Sequence, residues 1–218
     1  MMISVRNIEK GYNGELVLRS VSLDIANGEF VSIMGESGSG KSSLLSIIGG
    51  FLSPDSGQVL WDGRDISTFS DKEMSRLRCT GLGFVFQSFK LIPTLSARDN
   101  ILLPASLGEG VKDETLEYMN TLATRLGIDG MLDKYPDQLS GGQCQRVAII
   151  RSLVYKPSFV ILDEPTGALD SENEDKVMVL LGEINEKLGT TIVQVTHSRR
   201  VAECGKRIIR LSDGRIAL

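Results

Sequence analysis

A glycine-rich octet, Gly35-Glu-Ser-Gly-Ser-Gly-Lys-Ser42, connects two apolar runs and fits the pattern G-x-x-x-x-G-K-[ST]. Between a strand and a helix, such glycines let backbone N–H groups turn toward an anion, and the helix directs its positive end at the same place. A glycine-serine loop that only turns the chain is the structural alternative. We predict a site for the phosphates of a nucleoside triphosphate, formed by Gly35, Ser37, Gly38, Ser39, Gly40, Lys41, Ser42 and Ser43.

A second apolar run, Phe159–Leu162, leads into the adjacent carboxylates Asp163 and Glu164. A buried parallel strand reads as an unbroken apolar run, and ligands gather at the carboxyl ends of such strands. Asp163 is therefore predicted to hold Mg²⁺, directly or through water, opposite the hydroxyl of Ser42. Glu164 is placed to polarise the water that attacks the γ-phosphate. An acidic turn after a core strand is the structural alternative.

Between these two segments lies Leu139-Ser-Gly-Gly-Gln143, and a helical pattern follows over residues 142–154. Ser140 and the two glycines present a hydroxyl and unhindered N–H groups at this helix start. The chain therefore contains a second helix terminus that can bind an anion. A serine N-cap explains the start of this helix by itself.

With these motifs in this order, the chain resembles the ATP-binding subunits of ABC transporters, whose signature is this pentapeptide. The resemblance implies ATP and Mg²⁺ as cofactors and hydrolysis of ATP to ADP and phosphate. It also implies a head-to-tail dimer of two copies, in which the signature of one subunit closes over the nucleotide on the other. In that dimer Asp170 would contact the opposite subunit, and the signature contacts would be Ser140, Gly141, Gly142 and Gln143.

The resemblance implies roles for further single residues. Lys41 would bind the β- and γ-phosphates, and Gln87 would contact Mg²⁺ or the attacking water. His197, the only histidine, would hydrogen-bond the γ-phosphate, and Tyr12 would stack on adenine. The last three residues each have a structural alternative. Gln87 could be an ordinary surface amide, His197 a structural hydrogen-bonding group and Tyr12 a packing residue.

The apolar pattern predicts an α/β fold. Residues 2–34 alternate short strands with turns, and residues 88–156 are helical, with an amphipathic helix over Val111–Leu126. Later segments alternate between helix and strand over Val177–Leu188, Thr191–Thr196 and Arg207–Leu211. We expect a P-loop NTPase core with a mostly parallel sheet, an N-terminal antiparallel β subdomain and an inserted helical subdomain at about 88–156. Together they would form one ATPase domain over residues 1–218.

Composition limits the functional classes. The chain has 24 Lys and Arg against 28 Asp and Glu, a net charge of −4, which argues against nucleic acid as a partner. Three cysteines without a C-x-x-C pair support neither a zinc site nor a disulfide framework. No apolar stretch approaches the ~18–20 residues of a membrane span, and no signal peptide is recognisable. If the chain drives transport, we expect the pathway to belong to another chain.

Two segments, Phe84–Pro104 and Asp163–Asp170, resemble the lipoprotein-release and macrolide-exporter group, to which haem-efflux and peptide-resistance ATPases are similar. The resemblance implies an integral membrane permease, typically with four transmembrane helices, and a location at the cytoplasmic face of the cell membrane. We expect ATP-driven export of a hydrophobic compound such as haem or a drug, or of a peptide or lipoprotein. An ATPase for a non-transport remodelling or signalling complex is the alternative. A soluble ATPase of DNA repair or translation is a further alternative. Such ATPases usually carry two cassettes or long coiled-coil insertions, and this sequence shows neither.

Overall fold

The computed structural model describes residues 1–217. In chain order the elements are β1 (Ile3–Tyr12), β2 (Glu15–Ile25), β3 (Phe30–Met34), α1 (Lys41–Ile48), β4 (Ser56–Trp61), β5 (Arg64–Asp65), α2 (Asp71–Thr80), β6 (Leu82–Val85), α3 (Ala97–Leu107), α4 (Asp113–Arg125), α5 (Gly141–Leu153), β7 (Phe159–Asp163), α6 (Ser171–Leu188), β8 (Thr191–Val195), α7 (Arg199–Ala202), β9 (Arg207–Ser212) and β10 (Arg215–Ala217).

The strands form two sheets. The first is antiparallel, with the order β2-β1-β4-β5. The second has the order β10-β9-β3-β8-β7-β6, and all of its strand pairs are parallel except β10 with β9. The predicted α/β class, with a mostly parallel sheet and an N-terminal antiparallel sheet, is confirmed. Because β3, β6, β7 and β8 run in one direction, the loops that follow them lie along one edge of the sheet.

Helices cover both faces of the parallel sheet, as the side chains of β7 show. Phe159 and Ile161 belong to a core that includes α1 and the antiparallel sheet. Val160 and Leu162 belong to a second core with α3, α4, α5 and α6. All five residues of β7 are buried, so the unbroken apolar run reflects burial on both faces.

Three helices, α3, α4 and α5, fall within the predicted helical region. Their buried side chains share one core with α6 and the parallel sheet. The limits of a helical subdomain at about 88–156 and of a single domain over 1–218 stay predictions, and Leu218 lies outside the described residues.

Several element boundaries differ from the sequence prediction. The predicted helix Val111–Leu126 is α4, which begins at Asp113 and leaves Val111 exposed. The predicted helix Val177–Leu188 is α6, which begins six residues earlier at Ser171. Its polar first turn contains Glu172 and Glu174, and carboxylates favour a helix N-terminus. An apolar pattern cannot reveal that turn.

Two further features of the fold do not follow from the apolar pattern. Strand β1 continues through Tyr12, and the turn after it consists of Asn13 and Gly14. Both turn residues have positive φ, which matches the twist of a tight hairpin. Helix α2 was not predicted, because Met74 is its only buried residue and no apolar periodicity is visible.

Among residues 1–217, none of the helices is both long enough and apolar enough to span a bilayer.

Candidate functional site

An open cavity of about 470 Å³ lies where four loops meet at the carboxyl edge of the parallel sheet. The loops follow β3, β6, β7 and β8. The cavity is lined by Val17, Ser37, Gly38, Gly40, Lys41, Ser42, Ser43, Gln87, Asp163, Glu164, Val195 and His197. All of these except Val17 and Val195 are residues that the sequence predicted.

The glycine-rich loop lies close against neighbouring backbone. A Cβ atom on Gly35 would lie 2.1 Å from the carbonyl oxygen of Leu211, and one on Gly40 would lie 2.7 Å from Leu18 Cδ2. Gly40 also has a φ of +96°, which glycine adopts without steric cost. Helix α1 begins directly after it, and no side chain caps its first N–H groups. These donors therefore remain for an anion.

Lys41 adds a positive charge to this loop. Its Nζ donates hydrogen bonds to the carbonyl oxygens of Gly35, at 2.8 Å, and Glu36, at 2.7 Å. Ser39, by contrast, is buried, does not line the cavity and donates its N–H to Glu36. Its predicted phosphate contact has no support in the geometry of its side chain.

Asp163 and Ser42 bring two oxygen ligands together. Ser42 Oγ donates to Asp163 Oδ1 at 3.2 Å, although the residues are 121 positions apart. Asp163 is only 8% exposed, and this burial raises the pKa of its carboxyl above the usual value. A carboxylate and a hydroxyl fit Mg²⁺, which prefers oxygen ligands. A cation there would also offset the cost of burying the carboxylate.

Glu164 and His197 form a pair at the mouth of the cavity. His197 Nδ1 lies 3.0 Å from Glu164 Oε1, and the side chains are 76% and 13% exposed, respectively. Glu164 has a φ of 51°, so the chain turns sharply at the end of β7. Its N–H donates to the carbonyl oxygen of Val195 at 3.0 Å. These contacts position a carboxylate and an imidazole on one side of the cavity.

Gln87 and Tyr12 stand at the border of the cavity. Gln87 is exposed and follows β6, among the lining residues. Tyr12 does not line the cavity, but its hydroxyl is 3.3 Å from Ser43 Oγ. The ring of Tyr12 is therefore next to the start of α1.

The signature pentapeptide is not part of this cavity in residues 1–217. Ser140 Oγ accepts a hydrogen bond from the Gln143 N–H, and Gln143 Oε1 accepts one from the Ser140 N–H. This capping box is a complete structural explanation for both side chains. The glycines lie near the 167–170 loop, where a Cβ atom on Gly142 would be 3.0 Å from the carbonyl oxygen of Ala168.

Asp170 caps α6. Its Oδ1 accepts from the Asn173 N–H at 2.9 Å, and this bond is the main reason why the pKa of Asp170 is lowered. Asn173 also accepts from Arg146, whose Nε donates to the carbonyl oxygen of Gly142. Asp170 and the signature therefore belong to one surface, separate from the phosphate loop.

Sequence reasoning missed Val17, Val195 and Arg146. Val17 lines the cavity because β2 passes Gly40 closely, and a strand valine carries no signal of that. Arg146 follows the signature, but only the tertiary structure shows that it connects α5 to α6.

Comparison with known proteins agrees with this geometry. The "ABC transporter" family profile matches residues 18–167. The macrolide export ATP-binding/permease protein MacB of Syntrophobacter fumaroxidans is 44% identical over 98% of the chain, which spans about a third (31%) of that relative's length. The bacitracin export ATP-binding protein BceA of Halalkalibacterium halodurans is 39% identical over 99% of the chain and 87% of its own length.

Solved structures show the same fold. The dimeric structure of the ABC transporter cassette MJ0796, from Methanocaldococcus jannaschii, superposes with a TM-score of 0.91 at 42% identity, covering 99% of this chain and 97% of that one. A dimeric post-hydrolysis state of MJ0796 with ADP and Pi superposes with a TM-score of 0.90 at 40% identity over the same shares. The chain belongs to the ABC transporter family and is an ATPase cassette of that family.

Proposed function

We propose that this chain is the ATP-hydrolysing subunit of a membrane export complex. The observation that carries the proposal is the meeting of the Lys41 loop, the buried Asp163 and the Glu164–His197 pair in one cavity. Phosphoryl transfer to water needs a phosphate cradle, a carboxylate near the metal and a group that orients the water.

Each part of the nucleotide would be bound by a different group of residues. Lys41 and the N–H groups of residues 38–43, except that of Ser39, hold the β- and γ-phosphates, and the ring of Tyr12 stacks on adenine. Ser42 and Asp163, with Gln87 nearby, would hold Mg²⁺. When bound, the ion neutralises charge on the phosphate oxygens.

Hydrolysis would depend on Glu164. Its carboxylate accepts a hydrogen bond from the attacking water and orients it toward the γ-phosphate. His197 contacts Glu164 through Nδ1, and its other ring nitrogen, Nε2, hydrogen-bonds the γ-phosphate. Gln87 adds an amide beside the same water. This work is mainly positioning and electrostatics, so small movements can switch it on or off.

A second copy of the chain would complete the site. The signature residues Ser140, Gly141, Gly142 and Gln143 and the Asp170 loop lie outside the cavity of their own subunit, and the MJ0796 structures are dimeric. In a head-to-tail dimer, the start of α5 in one subunit supplies N–H groups to the γ-phosphate on the other. ATP then holds the dimer closed, and its cleavage reopens it.

The mechanical work would pass to an integral membrane permease, which we expect to have four transmembrane helices. Two relatives are named for export, of macrolides and of bacitracin. We infer that the chain acts as a peripheral subunit at the cytoplasmic face of the membrane. Its complex exports a hydrophobic compound, such as haem or a drug, or a peptide or lipoprotein.

The first test is the substitution Glu164→Gln. It removes the carboxylate but keeps the shape, so we expect ATP to bind with unchanged affinity while hydrolysis falls by about 10²-fold or more. Sedimentation with ATP and Mg²⁺ should then show a trapped dimer. Phosphate release and equilibrium ATP binding are measured on the same preparation.

The matched control is Glu172→Gln, which changes an exposed carboxylate that is paired with Lys176 on α6. It should retain normal turnover. Normal turnover in the Glu164→Gln protein would remove Glu164 from the role of orienting water. Failure of the unsubstituted chain to bind ATP would contradict the proposed function as a whole.

Co-purification tests the membrane partner. The tagged chain is isolated in mild detergent, and the proteins bound to it are identified by mass spectrometry. A permease with four membrane helices and an extracytoplasmic domain supports export. Recovery only with ribosomes, DNA or soluble proteins would overturn the export assignment.

A further inference from the structure

One carboxylate outside the cavity binds the end of β1 directly before Tyr12. Asp55 Oδ1 accepts a hydrogen bond from Lys10 Nζ at 2.6 Å, and Asp55 Oδ2 accepts one from the Gly11 N–H at 2.8 Å. The Asp55 N–H donates to the carbonyl oxygen of Glu9 at 2.9 Å. All three residues that precede Tyr12 are therefore bound to Asp55.

The local backbone brings Asp55 to this place. Gly57 has a φ of +84°, and a Cβ atom there would lie 2.4 Å from the carbonyl oxygen of Arg6. Only glycine allows the start of β4 to lie this close to β1. The register of β1 against β2 shifts between Lys10 and Gly11, so the strand is irregular at the point where Asp55 binds it.

The ion pair continues to the ring of Tyr12. Lys10 Nζ lies over this ring, 5.9 Å from its centroid, which is within cation–π range. The Lys10 side chain is only 14% exposed, so the ammonium is confined. One face of the ring is directed at Lys10 and its hydroxyl is near Ser43. Tyr12 is 45% exposed, which leaves ring surface on which a base can stack.

We propose that Asp55 is a positioning residue for nucleobase binding: by fixing Lys10 and Gly11, it preorganises the Tyr12 ring to stack on adenine. This inference rests on the proposed contact between Tyr12 and ATP. A ring that is already held in one orientation does not have to be ordered when ATP binds. Preorganisation therefore raises the affinity for ATP. The bonds from Lys10 and Gly11 also lower the pKa of Asp55, so the carboxylate is charged at neutral pH.

The test compares ATP with inorganic tripolyphosphate, which has the phosphates but no base. Equilibrium binding of both probes with Mg²⁺ is measured by calorimetry for the unsubstituted chain, Tyr12→Ala, Asp55→Ala and Lys10→Met. Loss of stacking should lower the ATP affinity of Tyr12→Ala roughly tenfold. Asp55→Ala should lower the ATP affinity roughly threefold or more, because part of the same stacking contribution is lost. Neither change should alter tripolyphosphate binding, and Lys10→Met should follow Asp55→Ala.

Two further variants separate positioning from general damage. Asp24→Ala removes a similar ion pair, to Arg6 near the other end of β1, at 2.7 Å and with a carboxylate that is 55% exposed against 51% for Asp55. It should leave the ratio of the two affinities unchanged. Asp55→Asn retains an oxygen that can accept from the Gly11 N–H, and it should restore part of the ATP affinity.

The outcomes are distinct. If Asp55→Ala leaves the ratio of the ATP and tripolyphosphate affinities unchanged, or lowers both affinities equally, the role of Asp55 is overturned. Equal affinity of the unsubstituted chain for ATP and tripolyphosphate overturns stacking on Tyr12, and the inference with it. If the unsubstituted chain binds neither probe, the proposed function itself fails.

Discussion

Some residues of the site have backbone conformations that most residue types avoid. Glu164 has a φ of 51°, which costs roughly 1–2 kcal/mol for a residue with a Cβ atom. The hydrogen bond from its N–H to Val195 stabilises this turn. Strain of this kind is common at functional sites, and here it places the carboxylate beside His197. The glycines of the phosphate loop meet the same demand by having no side chain.

Gly35→Ala tests the close packing of the phosphate loop. The new Cβ would lie 2.1 Å from the Leu211 carbonyl oxygen, so β9 or the loop must move. We expect a loss of about 1–3 kcal/mol in the free energy of unfolding, measured by urea denaturation, together with weaker binding of ATP.

Gly182→Ala is the control for that substitution. Gly182 lies inside α6, and a Cβ there would meet no atom within 4 Å. Alanine should therefore stabilise the helix by up to about 1 kcal/mol. Equal stability of the Gly35→Ala protein and the unsubstituted chain would contradict the packing argument.

At the level of elements, side-chain caps form the starts of several helices. Ser140 with Gln143, and Ser70 with Glu73, form capping boxes at the starts of α5 and α2, and Asp170 caps α6. Helix α1 has no such cap. The one helix start in the cavity therefore keeps its N–H groups for a ligand, whereas those of α5 and α6 are partly satisfied internally.

The start of α2 predicts a pH dependence. The Ser70 N–H and hydroxyl, with Arg64, lower the pKa of Glu73 from 4.5 to about 2. Because the folded pKa is lowered, the charged Glu73 stabilises the fold above pH 4.5, and that stabilisation is lost as pH falls toward 2. Glu73→Gln keeps the cap but cannot ionise.

The measurement is urea denaturation of the Glu73→Gln and unsubstituted proteins over this pH range. The difference between their free energies of unfolding should shrink as pH falls below 4.5. A difference that stays constant down to the acid limit would show that the Glu73 charge contributes nothing to the stability of α2.

At the scale of the whole molecule, the site exists only because the parallel sheet aligns four loops. Ser42 and Asp163, which are 121 positions apart, meet at 3.2 Å. Glu164 and His197 meet at 3.0 Å. A ligand that contacts these loops together would stabilise the fold as a unit, because the unfolded chain cannot form the cavity.

ATP with Mg²⁺ should therefore raise the unfolding temperature of the chain. At a free ligand concentration of about 100 times Kd, the expected stabilisation is roughly 2.7 kcal/mol. Chelation of Mg²⁺ should remove part of this effect, and Lys41→Ala should remove most of it. Calorimetric scans of the Glu164→Gln protein avoid turnover. An unfolding temperature that ATP does not change would contradict binding in the cavity.

Much of the fold and of the cavity could be predicted from the sequence, because the relevant signals are local. Residues 35–42 contain a complete phosphate-loop pattern, and the run Phe159–Leu162 identifies a strand buried on both faces. Eight cavity residues were predicted in this way, and Gln87 and His197 were predicted from the resemblance to ABC ATPases. Helix α2 and the first turn of α6 were not predicted, because polar helices and capping turns leave no apolar periodicity.

The sequence by itself determined the α/β class, the phosphate loop and the acidic strand end, since short-range patterns encode each of these. Only the tertiary structure decided which of the predicted residues meet. It separates the signature from the phosphate loop, buries Ser39 away from the cavity and binds Asp55 to the strand before Tyr12. These outcomes depend on the register of the sheets and on the close approach of distant backbone segments, and no local pattern contains that information.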